Sequence, residues 1–200
     1  MSEENKSLFW YRARFVLLIV VFLSPFIAGW LALYVFELKP QSGNYGELVQ
    51  PVKKIDWPQL KSIRGVQYDN GFGRKWTFVV FARADCADQC RSNLYYLRQI
   101  RTLLGRDMRR MQTILVSEPS IDPDLRSFLA DYPNLVVIDN YFSEALYGQF
   151  QTEGLDSVGR SPRLYLIDPD QNFMMHYPAV NDQNRILEDL RRLIKLSQIG

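Results

Sequence analysis

Lys75-Trp76-Thr77-Phe78-Val79-Val80-Phe81-Ala82-Arg83-Ala84-Asp85-Cys86-Ala87-Asp88-Gln89-Cys90-Arg91, continued to Leu104, is the stretch whose reading decides the fold. Trp76 to Phe81 is a short apolar run rich in aromatic and β-branched residues, the pattern of a buried strand. Beyond it Leu97, Ile100 and Leu104 recur at three and four, which places them on one helix face. Between strand and helix stand the only cysteines of the chain, Cys86 and Cys90. A helix N-terminus presents unsatisfied N–H groups and the positive end of the dipole, both of which favour thiolate over thiol.

Composition bounds the possibilities. Of the 200 residues 23% are charged and 47% apolar, an ordinary globular balance with room for one core and an additional segment. A formal net charge of +2, with no basic stripe interleaved with aromatics, gives no footprint for nucleic acid. One histidine rules out a zinc site built on several histidines of this chain.

Outward toward the N-terminus, Phe15 to Phe36 contains no charged residue. As a helix it would cover the roughly 30 Å hydrocarbon core of a bilayer. Pro25 and Gly29 interrupt it, as membrane helices tolerate, and Trp10, Tyr11, Trp30 and Tyr34 lie near its ends. A buried core helix rarely runs this long without charge, and a cleaved signal peptide would want a shorter apolar region before a small-residue site. The expectation is an uncleaved anchor over 15–36. Lys6, Arg12 and Arg14 precede it, whereas Glu37 and Lys39 nearly cancel after it. The positive-inside rule then puts 1–14 in the cytoplasm and the remainder across the membrane. In a bacterium this is the inner membrane with a periplasmic domain, where thiols can be oxidised. Residues 37–58, with Pro40, Gly43, Gly46, Pro51 and Pro58, read as a tether, and 59–200 as the folded domain.

Within that domain Leu60 to Gly73 is expected to hold one or two short strands, with Asp69-Asn70-Gly71 as a turn. Gly105 to Arg110 reads as a basic loop. Thr113–Val116 reads as a strand, Pro123–Tyr132 as a short helix entered through Asp122, and Leu135–Ile138 as another strand. Ser143–Phe150 reads as a helix with Ser143 as N-cap. Leu164–Ile167 and Asn172–Tyr177 form an expected hairpin around Asp168-Pro169-Asp170-Gln171, and Ile186 to Ile194 a closing amphipathic helix. This alternation is an α/β fold with a mixed sheet flanked by helices.

The aromatic-rich strand, Cys-x-x-x-Cys, the helix, the next strand and then Val116-Ser117-Glu118-Pro119 with Asp122 resemble the Sco/SenC branch of the thioredoxin superfamily, over roughly Gly65 to Gly200. The resemblance implies a thioredoxin-like sheet. It also implies a membrane-tethered accessory factor in biogenesis of the Cu(A) site of cytochrome c oxidase, delivering copper or reducing thiols. Its expected partner is a respiratory oxidase subunit or another assembly factor. Two departures stand out. Arg160 occupies the position aligned with the family's copper-ligand histidine, and Ala87 follows the first cysteine in place of the usual proline. Ser161-Pro162 before a strand looks like the cis-proline loop that packs against a thioredoxin disulfide, which makes Pro162 a candidate site residue beside Cys86 and Cys90.

Two thiols four apart on a helical turn are neighbours, within reach of a disulfide after a small backbone adjustment. The same pair can present two soft thiolates to Cu(I). Asp85 and Asp88 oppose thiolate formation while Arg83 and Arg91 favour it. If the hairpin folds symmetrically about Pro169 and Asp170, His176 falls opposite Arg163, and alternation puts Met174 on the same face. His176 and Met174 are therefore candidate metal ligands, with a plain surface histidine as the alternative. For the cysteines the alternatives are a structural disulfide or two unrelated buried thiols. Glu118, Asp122 and Asp156 read as caps and solvated loop residues. Beside the oxidase accessory factor stand a TlpA-type thiol–disulfide oxidoreductase, favoured by Pro162 and Arg160, and a docking module that kept the fold without the chemistry.

Overall fold

The computed structural model describes residues 3–34, 43–68, 72–82, 86–118, 121–138, 144–152, 162–180 and 182–197. The chain divides into two compact units, Met1–Gly43 and Asn44–Gly200.

The first unit contains the helix α1 (Glu3–Tyr34). Its segment Trp10–Leu31, 22 residues with a mean hydropathy of 2.2, is long and apolar enough to cross a membrane, and a signal sequence would meet the same measure. Pro25 sits inside it and has no N–H to give to the carbonyl of Val21, one turn back. The hydroxyl of Ser24 donates to that carbonyl at 3.0 Å. The helix therefore runs past its proline with the freed acceptor satisfied, the device that apolar surroundings require.

The second unit contains, in order, β1 (Glu47–Lys54), β2 (Leu60–Lys61), β3 (Gln67–Tyr68), β4 (Trp76–Ala82), α2 (Asp88–Leu103), a 3-10 turn (Gly105–Arg110), β5 (Met111–Ser117), α3 (Pro123–Ala130), β6 (Leu135–Ile138), α4 (Glu144–Phe150), β7 (Leu164–Ile167), β8 (Asn172–Tyr177) and α5 (Gln183–Leu196). Six strands form one sheet in the order β1-β8-β7-β4-β5-β6. β4, β5 and β6 are mutually parallel, whereas β7, β8 and β1 join by antiparallel pairing. β2 and β3 form a separate small ladder. This is the mixed, thioredoxin-like sheet expected from the sequence.

β4 is buried along all seven residues, which explains why it reads as an unbroken apolar run rather than an alternating one. Phe78 and Val80 face a core shared with Leu94, Leu97 and Ile100 of α2, Leu125 of α3, and Leu190 of α5. Val79 and Phe81 face a second core with Trp57, Phe72 and Phe150. In that second core the rings of Phe81, Phe150, Tyr165 and Phe173 pack with centroids 5.0 to 5.7 Å apart. With each fully buried large side chain contributing about 1.5–3 kcal/mol, β4 and its neighbours are the rigid platform on which the thiol turn stands.

The tether differs from expectation. Residues 47–54 of the stretch 37–58 are the edge strand β1, paired antiparallel with β8 from Glu47↔His176 to Lys54↔Asn172. Pro51 marked the segment as non-strand, yet the ladder shifts register between Leu48 and Lys53, and an irregular edge is where a sheet accepts proline. Gly46 has a steric reason as well, since a Cβ there would meet the side chains of Met175 and Tyr177. The β2–β3 connection runs through Ile63, Arg64 and Gly65 (φ +81°), with Ser62 Oγ accepting from the Val66 N–H at 3.1 Å. Asp69-Asn70-Gly71 lies outside the described residues, as does Ser143.

Candidate functional site

Cys86 and Cys90 are joined in a disulfide, with Cα atoms 5.2 Å apart. The parallel register of β4 with β5 brings Ala82 beside Ser117, and the Glu118 N–H donates to the Ala82 carbonyl at 3.2 Å. The chain then reaches Cys86 and enters α2 through Ala87, an N-cap with no side-chain hydrogen bond. Cys90 lies in the first turn, its N–H donating to the Ala87 carbonyl at 2.8 Å. Both cysteines are buried, Cys86 at 1% and Cys90 at 9% exposure. Cys86 also has φ +42°, left-handed backbone that costs a non-glycine residue about 1–2 kcal/mol. The turn is therefore held closed by its surroundings rather than by its own preference.

Of the charges around the pair, Asp88 is exposed in the first turn of α2, while Arg83 and Asp85 lie outside the described residues. Arg91 reaches back: its Nε donates to the Cys86 carbonyl at 3.0 Å and its Nη2 to Asp124 at 2.7 Å, with the guanidinium 5.3 Å from the Phe128 ring centroid. Asp122 is the expected cap of α3, accepting from the Asp124 N–H at 2.9 Å.

Pro162 is tied to the thiol helix by a residue not singled out in the sequence. Asn93, fully buried, donates from Nδ2 to the Pro162 carbonyl at 2.9 Å and accepts at Oδ1 from the Val180 N–H at 3.0 Å. One amide thus fastens the loop entering β7 and the loop leaving β8 to α2, one turn after Cys90. The available signal was position: Asn93 falls on the stripe of Leu94, Leu97 and Ile100, where a polar residue needs partners. Ser161, Arg160 and Asp156 lie outside the described residues.

His176 and Met174 are not placed beside the disulfide. His176 pairs with Tyr165, two residues from the Arg163 expected. One residue of the offset comes from the turn, which Gln171 enters at φ +71° with Asp168 accepting the Asp170 and Asn172 N–H groups. The other is a bulge at Met174, between the Leu166↔Met175 and Ile167↔Phe173 pairs. A single bulged residue breaks the alternation. Met174 packs on the α2 core, whereas His176 shares the other face with Tyr165. At the level of Val79, His176 stands three strand residues from Ala82, roughly 10 Å at strand rise. Among the described residues no group of three or more His, Cys, Asp or Glu is arranged to hold a metal.

His176 is buried, with Nε2 3.6 Å from Glu47 Oε2 on β1 and, among the described residues, no hydrogen-bond partner at Nδ1. Burial lowers its pKa below 6.5, outweighing the upward pull of Glu47, and Arg163 lowers it further. On the same face burial pushes the Tyr165 phenol up to about 12. Because folded His176 binds its proton less readily than the unfolded residue, its contribution to stability is complete above pH 6.5. It is lost as the pH falls toward the folded-state value. Urea unfolding of the full chain in detergent is expected to show lower stability at pH 5.5 than at 7.5, and His176→Gln to flatten that slope. An equal slope in the variant would remove His176 as its source.

Residues 76–197 match the family model for the transmembrane-like, thioredoxin-like C-terminal domain. No curated protein matches the chain. Among solved structures, apo Sco1 from Thermus thermophilus superposes with a TM-score of 0.58 at 21% identity, covering 78% of this chain and 99% of its own. Yeast Sco1 with copper bound gives 0.58 at 18% identity, covering 72% and 90%. BsSco, described through a disulfide switch as a member of the Sco family of cytochrome c oxidase assembly proteins, gives 0.55 at 18%, covering 76% and 99%. At these identities the likeness establishes a Sco-like thioredoxin fold. With the family model spanning most of its length, the chain belongs to the transmembrane-like, thioredoxin-like C-terminal domain family.

Proposed function

We propose that this chain is a membrane-anchored thiol–disulfide factor in the biogenesis of the copper site of a respiratory oxidase. The observation that carries the reading is the Cys86–Cys90 disulfide at the β4–α2 turn. A structural staple gains more the longer the loop it closes, and a separation of four residues stands at the low end of that scale. Reduced, the pair can return two electrons: one thiolate attacks a target disulfide, the second resolves the mixed disulfide, Cys86–Cys90 closes and the target leaves as a dithiol with two protons. A cysteine pair awaiting copper is such a target. α1 is the anchor, with Lys6, Arg12 and Arg14 in the cytoplasm and the domain in the periplasm of a bacterium.

Copper delivery is the second reading, favoured by the likeness to copper-bound yeast Sco1. The residues fit the ion as cargo in one respect: two thiolates satisfy Cu(I) as soft donors. His176 does not supply a third donor to them, since it lies on the other face of the sheet. The test incubates the reduced full chain in detergent with an oxidised copper-site subunit, then counts thiols on both and measures Cu(I) retained against a chelator. Stoichiometric transfer of thiols supports the proposal, and copper retention without transfer shifts it to delivery. Neither result would leave the docking module.

A further inference from the structure

Arg91 stands where the two cysteines, α2 and α3 meet, and among the described residues its Nε and Nη2 take different partners. Nε–H donates to the carbonyl of Cys86, the residue with the left-handed backbone. The Nη2 end is taken by Asp124, and the guanidinium lies over Phe128. The charge is therefore largely answered by a carboxylate at 2.7 Å, while the Nε bond acts on the backbone of the thiol turn. We infer that Arg91 is a positioning residue that clasps the Cys86 carbonyl and thereby biases the Cys86–Cys90 pair toward its disulfide form. This rests on the reading of the pair as redox-active.

The physical reason is geometric. Closing the disulfide requires Cys86 to remain in an unfavourable conformation close to Cys90. A clasp from the residue after Cys90 holds the Cys86 peptide against the first turn of α2 in that arrangement. Reduction by dithiothreitol breaks the Cys86–Cys90 bond and forms the S–S bond of the reductant's ring, with two electrons and two protons passing to the cysteines. Once the sulfurs part, Cys86 can relax and the clasp contributes less. A purely electrostatic Arg91 would act in the opposite direction, since a cation stabilises the thiolates and hence the reduced form.

Two substitutions separate these roles. Glutamine Nε2 stands the same number of bonds from Cα as arginine Nε, so Arg91→Gln keeps the donor and removes the charge. Arg91→Lys keeps the charge and puts a methylene where the donor was. The equilibrium constant of the full chain in detergent with dithiothreitol is measured at pH 7, with thermal unfolding to establish that each variant is folded. Arg91→Lys is expected to shift the constant roughly tenfold toward the reduced form, the scale of one lost hydrogen bond to a charged donor. That corresponds to about 30 mV for a two-electron couple. Arg91→Gln is expected to stay within about twofold of wild type, as a retained donor would. A shift in the glutamine variant alone, equal shifts in both, or no shift in either overturns the proposal. A wild-type disulfide that dithiothreitol does not reduce overturns the proposed function as well, so the two failures are distinguishable.

Discussion

Cys86→Ser and Cys90→Ser are each expected to abolish net two-electron exchange, and the double variant to be no worse than either single one. The two sulfurs act as one unit, because exchange needs an attacking and a resolving thiol, and either half alone stops at a mixed disulfide. The stability cost should be far smaller than the loss of function. For a loop of this length the chain-entropy model gives about 2 kcal/mol, and release of the left-handed Cys86 returns part of it. The measurement pairs turnover of a model disulfide with urea unfolding of the same full-length preparations in detergent. A variant that keeps full exchange, or one that unfolds outright, would turn the disulfide from a reactive group into a structural one.

Asp189→Ala is expected to lower stability by about 3 kcal/mol or more, a large effect for a residue far from the thiols. Asp189 is buried on α5, and its Oδ2 accepts two successive N–H groups, from Tyr45 at 2.8 Å and Gly46 at 2.9 Å. Hydrogen bonds to a charged acceptor contribute about 1.5–3 kcal/mol each, and alanine would leave the Gly46 donor buried and unmet. The same helix face holds Tyr45 through Arg185, 4.3 Å from its ring centroid, and Asn44 through Arg192 at 3.4 Å. Nearby, burial and the Asp189 carboxylate raise the Tyr177 phenol above its usual range. The segment that opens the folded unit is thus fastened to the last helix of the chain, and β1 follows directly from it. Asp189→Asn keeps an acceptor oxygen and should lose about half as much. Unfolding curves in which alanine and asparagine both match wild type would show that these N–H groups find other partners.

Much of the fold is legible because it is written in local periodicity. β6, β7 and β8 fall where their apolar runs place them, and β4 and β5 extend the expected strands by one to three residues. Short-range hydrophobic patterning is a property of consecutive residues, so strands, helices and their order follow from it. The thiol turn is legible for the same reason, since strand, cysteines and helix are contiguous. β1 was hidden because a bulged edge strand containing proline lacks the pattern that identifies a strand.

What escaped depends on partners distant in the chain. The pairs Asn93–Pro162 and Tyr45–Asp189 are 69 and 144 residues apart, and no local pattern specifies which carbonyl or N–H a buried polar group will meet. One bulged residue parted Met174 from His176, since a side-chain period of two converts a single insertion into a change of side, and with the one-residue shift at the turn it moved His176 from Arg163 to Tyr165. By itself, then, the sequence determined an apolar N-terminal helix, an α/β domain and two cysteines at a strand-to-helix turn. Only the tertiary structure decided that the cysteines form a sealed disulfide clasped by Arg91, with the lone histidine on the opposite face. Those outcomes are set by how strands pair and which buried polar groups find one another, and neither is fixed until the sheet is assembled.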